Sequence, residues 1–106
     1  MVSIPGQPDD PHQPRAALVI SEDVRNRLTD DLIVVPLFST GRGGPTRVTV
    51  ASGAGGLRRP GVLFCEEITT IDRDFLDRGP LGPRLSAPVL DAVVRAVRRA
   101  LGDTVL

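Results

Sequence analysis

Tryptophan, tyrosine and lysine are absent from this chain of 106 residues, and histidine and cysteine occur once each. Each absence removes a class of function. A lone Cys65 forms no internal disulfide, so a reducing, cytoplasmic setting is expected. One histidine and one cysteine are too few for a metal cluster, and no Ser-His-Asp or Cys-His pattern has support, so no cofactor or metal is expected. The only aromatics are Phe38, Phe64 and Phe75. Three rings argue against the stacking platform of a single-strand binder and are expected in the core. No apolar run approaches membrane-spanning length, and the first residues lack the basic-then-apolar order of a signal peptide, so no membrane partner is expected.

Net charge is zero, which provides no overall attraction to nucleic acid, but the charge is unevenly spread. Between residues 32 and 65 there is no Asp or Glu, while Arg42, Arg47, Arg58 and Arg59 fall there. A basic face is therefore compatible with a neutral total. All thirteen cationic side chains are arginine, for which a GC-rich coding bias is the simplest explanation.

The organising stretch is residues 32–50, LIVVPLFSTGRGGPTRVTV. Its first half is a short apolar, β-branched run, as a buried strand requires. Its second half alternates Arg47 and Thr49 with Val48 and Val50, as a half-exposed strand does. Residues 39–45 between them are loop, and two readings stand. A hydroxyl-bearing, glycine-rich, arginine-bearing loop can receive a phosphate backbone. The same composition also makes an ordinary long hairpin connection.

Around that centre, residues 1–14 carry prolines at 5, 8, 11 and 14, which suits a polyproline II stretch or a disordered arm, with residues 2–4 a scrap of strand at most. His12 is either a proton-transfer group near Arg15 or a solvated residue of the arm, and the second is expected. Residues 16–20 (AALVI) are a buried strand, and Ser21 is the expected N-cap of a short helix, SEDVRNRL. Residues 51–61 form a second flexible loop carrying Arg58 and Arg59. Residues 62–68 (VLFCEEI) are a strand that residues 69–71 continue. Adjacent carboxylates on a strand point to opposite faces, so Glu66 and Glu67 are not an acid/base dyad. Asp72 caps a short turn, and Ser86 caps the one long helix, residues 87–101, with Pro88 in its first turn and Gly102 as its stop. Leu90, Val93, Val94, Val97 and Leu101 form its apolar stripe, and Arg95, Arg98 and Arg99 lie off it. Short strands, long polar loops and one terminal helix predict a mainly β fold, a small barrel with a helix packed on it.

Four stretches, taken in order, resemble the MazF/PemK toxin family over residues 15–102. They are RAALVISEDVRN, VVPLFST with its loop and PTRVTV, GLRRPGVLFCEEITTIDRDFL, and LGPRLSAPVLDAVVRAVRRALG. The resemblance implies an SH3-like (MazF/CcdB-type) barrel domain over residues 15–106, following an arm over residues 1–14. It implies a homodimer that cleaves single-stranded RNA without metal, by attack of a 2′-hydroxyl on the adjacent phosphate. The products are a 2′,3′-cyclic phosphate and a 5′-hydroxyl. It also implies a cognate antitoxin whose extended tail covers the RNA groove. Arg15 matches the family's catalytic arginine, and Glu66 stands at its acidic position, able to orient or pair with an arginine. The family's catalytic threonine falls on Phe38, so Ser39 or Thr40 is expected to assist catalysis. Thr40 has the strand parity of Phe38. A family arginine falls on Thr69. The expected RNA contacts are Arg42, Arg47, Arg58, Arg59 and Thr69. The family's first strand is missing, which leaves an uncovered sheet edge. The alternatives are a weakened relative that only binds antitoxin or RNA, and more distantly a CcdB-like gyrase poison.

Overall fold

Strand β3 (Asp31–Phe38) is the hub of the architecture in the computed structural model, which describes residues 1–5, 14–77 and 79–103. It pairs antiparallel with three other strands. Strand β2 (Arg15–Val19) runs along one edge. The other edge is divided: the start of β3 pairs with β6 (Thr69–Asp72) and its end with β5 (Gly61–Phe64). β4 (Arg47–Val50) pairs with β5, and β1 (Val2–Ile4) with β2. The sheet order is β1-β2-β3-β5-β4, with β6 beside β3. The mainly β expectation therefore holds, with the long terminal helix α2 (Ala87–Ala100) packed on the sheet.

The apolar run in β3 is buried on both faces. Val35 packs with Leu18, Val50, Leu63 and Cys65 beneath Val93 and Ala96 of α2, whereas Leu32 and Val34 pack on Val2 and Ala17. A strand sandwiched in this way reads as a continuous hydrophobic stretch, because both alternating sets of side chains leave water. Burying Val93 contributes on the order of 1.5–3 kcal/mol. The helix ends in a Schellman motif. Gly102, at φ 90°, turns the chain so that Asp103 N–H donates to Arg98 O (2.9 Å) and Gly102 N–H to Arg99 O (3.0 Å).

Several expectations are corrected. Residues 32–50 are not a hairpin, since β5 lies between β3 and β4. The true hairpin is β4–β5, with Arg47 opposite Phe64 and Val50 opposite Gly61. Its connecting loop is clamped by backbone-to-backbone contact. A Cβ on Gly56 (φ 88°) would lie 2.3 Å from Leu81 O. Residues 62–71 are not one strand either. A 3-10 turn, Cys65–Glu67, separates β5 from β6. Leu37 faces Leu63 but Val34 faces Thr69, so three residues are looped out of the ladder. At the turn Cys65 N–H donates to Thr46 O (2.9 Å), which extends the β4–β5 pairing by one residue while the chain leaves β3. Glu66 and Glu67 therefore do not alternate as strand residues.

The N-cap of helix α1 (Asp23–Leu28) is Glu22, whose carboxylate accepts from Val24 N–H (3.0 Å) and Arg25 N–H (3.1 Å). Ser21 does other work: its Oγ accepts from Ile33 N–H (3.0 Å) and donates to Asn26 Oδ1, which pins the helix to β3. The edge expected to be uncovered is occupied. β1 covers β2, and its own outer side meets the chain before α2, with Asp77 N–H donating to Ser3 O (2.8 Å) and Leu81 N–H to Met1 O (2.9 Å). Residues 6–13, with His12 and the middle of the proline repeat, lie outside the described residues. On α2 the buried side chains are Val93 and Ala96, while Val94 (55% exposed) and Leu101 (75%) of the expected stripe face outward. Nor are the phenylalanines core. Phe75 is 66% exposed, and Phe38 and Phe64 are half-buried.

Cys65 is fully buried in the main cluster, and burial, with the Glu66 carboxylate beside it, pushes its thiol up from 9.0 to about 11. Between those values the unfolded chain ionises the thiol and the folded chain does not, so stability falls as pH rises through that window. With no lysine or tyrosine present, no other side chain has its usual pKa there. Denaturant melts taken in steps from pH 8.5 to 11 are expected to show this decline, and Cys65→Ala is expected to flatten it.

Candidate functional site

Four strands lie side by side in the order β2-β3-β5-β4, and each presents one large side chain to the same face. Ala17 is opposite Pro36 in the β2–β3 ladder, so two residues further along Arg15 comes opposite Phe38. Phe38 is paired with Val62, which sets Phe64 on the diagonal, and Arg47 is directly opposite Phe64. The result is a continuous stack. The Arg15 guanidinium lies 4.7 Å from the Phe38 ring centroid, the two rings are 4.3 Å apart and tilted by 39°, and the Arg47 guanidinium lies 3.8 Å from Phe64. Each ring is thus sandwiched, and each cation–π or ring–ring contact contributes on the order of 1 kcal/mol.

The Arg47 end is tied down. Its Nε donates to Glu66 Oε1 (3.1 Å) and its Nη1 to Arg42 O (3.1 Å), while Thr46 Oγ1 donates to Glu66 Oε2 (2.8 Å). Gly41 lets residues 39–45 lie against the ring, since a Cβ there would meet Phe64 Cζ at 2.6 Å.

The Arg15 end is open. Arg15, Ser39, Arg58 and Arg59 line a cleft of about 390 Å³ whose apolar wall includes Leu37 and Leu57. Among the described residues no carboxylate lines it. None of the three arginines, nor Ser39, makes a side-chain hydrogen bond or ion pair with a described residue. Other arginines, such as Arg25 with Asp31 (2.6 Å) and Arg98 with Asp103 (2.7 Å), spend their charge on the protein. Three guanidiniums and a hydroxyl around one concavity offer donors whose charge and geometry suit an anionic group such as phosphate.

The structure therefore brings Arg15, Ser39, Arg58 and Arg59 together, and holds Arg42, Arg47 and Glu66 at the other end of the stack. β3 stops at Phe38, so its parity does not extend to Thr40, which does not line the cleft. Thr69 is opposite Val34, about 14 Å along β3 from Phe38, and its hydroxyl donates to Thr70 O (3.4 Å). His12 lies outside the described residues. Among the described residues no three His, Cys, Asp or Glu side chains are placed to share a metal ion, and no helix is long and apolar enough to cross a membrane. The roles of Phe38 and Phe64 escaped the sequence reading because they depend on cross-strand register, which periodicity alone does not reveal.

Residues 1–101 match the family described as PemK-like, MazF-like toxin of type II toxin-antitoxin system. No curated protein matches the chain. Among solved structures, the Mycobacterium tuberculosis toxin MazF-mt6 is 26% identical, over 96% of this chain and 97% of its own, with a TM-score of 0.76. A mycobacterial endoribonuclease in complex with its cognate antitoxin is 26% identical, over 95% and 90%, with a TM-score of 0.78. The MazE-MazF complex of Deinococcus radiodurans (Form-II) is 25% identical, over 95% and 89%, with a TM-score of 0.75.

The stack should be measurable as a coupling. In a double-mutant cycle combining Arg47→Met with Phe64→Leu, denaturant unfolding is expected to give a favourable interaction energy of about 0.5–1 kcal/mol. Additive losses would mean that the guanidinium and the ring do not interact.

Proposed function

Because the chain belongs to the PemK-like, MazF-like toxins of type II toxin-antitoxin systems, we propose that it is an endoribonuclease that cuts single-stranded RNA without a metal ion. The observation that carries this reading is the cleft in which Arg15, Arg58 and Arg59 lie beside Ser39 with no carboxylate among the described residues to compensate them. The RNA 2′-oxygen forms a bond to the adjacent phosphorus, and the bond from that phosphorus to the 5′-oxygen breaks. A cyclic phosphate and a 5′-hydroxyl result.

Arg15 is the group for the extra negative charge on the crowded phosphate, since a guanidinium donates in a planar fork and stays charged throughout. Ser39 both donates and accepts, so it can pass the 2′ proton to water while water protonates the departing oxygen. Arg58 and Arg59 hold flanking phosphates. Arg42 and Arg47 line the path beyond the stack, and Glu66 orients Arg47. Thr40 and Thr69 are left with outer roles on the RNA. The relatives solved with an antitoxin support a cognate antitoxin as partner; on this reading its extended tail covers the basic surface, and the protein is a cytoplasmic homodimer.

One observation favours a second reading. Phe38 stands where the family resemblance has a threonine, and both its faces are covered, by Arg15 and Phe64. A phenyl ring moves no proton, so on this reading the chain binds RNA or antitoxin and cuts poorly.

Incubating the protein with a long RNA in EDTA and mapping the ends tests the first reading. Cyclic-phosphate ends are expected, and Arg15→Ala is expected to slow their appearance about 100-fold. No cyclic ends, or an unchanged rate, would sink it. The second reading is tested by Phe38→Thr: a large gain in cleavage supports it, and an unchanged or lower rate removes it.

A further inference from the structure

The stack joins the first cleft to a second one. Arg47, at its far end, also lines a cleft of about 290 Å³ between β4 and α2, whose other charged walls are Arg95 and Arg99. These two are four residues apart on α2, so they share one face of the helix. Among the described residues neither has an ion-pair or side-chain hydrogen-bond partner, and none that lines the cleft is a carboxylate. Arg98 is engaged with Asp103 instead (2.7 Å). The charge of Arg47 is matched by Glu66, so the uncompensated charge here is that of Arg95 and Arg99. Ala92 and Ala96 form the helix side of the floor, and their small side chains leave room between helix and strand.

We infer that this second cleft holds a further phosphate of the same RNA strand, several nucleotides from the one at Arg15. The inference rests on the RNA reading above. The two ends of the stack lie on strands separated by about 14 Å, a distance that a few nucleotides of extended strand cover. The rings between them are closed to bases, because each is sandwiched on both faces. Contact along this path is therefore carried by charge, which reads the backbone and not the sequence. An acidic protein segment would also meet the charge, but Arg47 belongs both to the stack and to the second cleft, at the β4 edge of the sheet, which favours a single polyanion that follows the stack and bends over that edge.

Binding of uridine-rich 2′-O-methyl RNA, which the reaction cannot cut, separates the cases by fluorescence anisotropy with the full chain. A dinucleotide, with a single linking phosphate, engages one cleft and a dodecanucleotide spans both. In Arg95→Gln/Arg99→Gln the dodecanucleotide is expected to bind about twentyfold more weakly at about 0.1 M salt, with a salt slope shallower by about 1.4. The dinucleotide should be unaffected, and the double Lys variant should retain most of the affinity. Wild-type affinity for the dodecanucleotide in the Gln variant would overturn the inference, and if Arg15→Ala still loses the dinucleotide the RNA reading survives. Equal losses for both lengths, or a loss confined to polyglutamate binding, would also overturn it. A wild-type protein that binds neither RNA removes both.

Discussion

Two guanidiniums pressed against two phenyl rings, across four strands, set the geometry of the basic surface in this toxin. The interaction works because guanidinium is planar and weakly hydrated, so it lies flat on a ring without giving up its edge donors. Arg15 is thereby held at the rim of a cleft that no carboxylate among the described residues lines. Arg47 is held at the opposite end, where Glu66 and the Arg42 carbonyl accept from it. One end is tied to the protein and anchors the stack; the other has no such tie among the described residues. A charged group that is positioned but unpaired is what a phosphate ligand needs, since little reorganisation is then required on binding.

The stack in turn depends on how β3 is shared. Arg15 meets Phe38 only because β2 pairs with β3 in the observed register, and Phe64 reaches the stack only because β5 pairs with the end of β3. A one-residue slip in either ladder would send a stacked side chain to the opposite face. The three residues looped out between β5 and β6 make this compatible with β6 pairing at the start of β3. That detour also buries Cys65 and carries Glu66 to Arg47. The same irregularity thus serves the core and the site.

The aromatic at position 38 changes how the site must be understood against its family. The resemblance leads one to look for a hydroxyl there, and the ring instead fills the space between an arginine and a second ring. In the cleft as built, the hydroxyl belongs to Ser39, one residue past the end of the strand. The family fold is retained while the side chains at the site are redistributed, which is the usual relation between a fold and the chemistry placed on it.

Much of the architecture was legible from local pattern. The β-branched run of β3, the alternation of β4, the turn at Asp72 and the proline-started, glycine-stopped helix α2 each follow from preferences within a few residues. The acid-free stretch with its arginines marked the basic surface, and the order of four motifs pointed to the toxin family. What lay beyond reach was everything that depends on which strand sits beside which. That includes β5 between β3 and β4, the pairing of residues 2–4 with β2 that covers the edge, the three phenylalanines lying outside the core, and the meeting of Arg15 with Arg58 and Arg59. Propensity and periodicity act between near neighbours in the chain, whereas register and sheet order are decided by burial summed over contacts distant in sequence, and that sum exists only once the chain has folded.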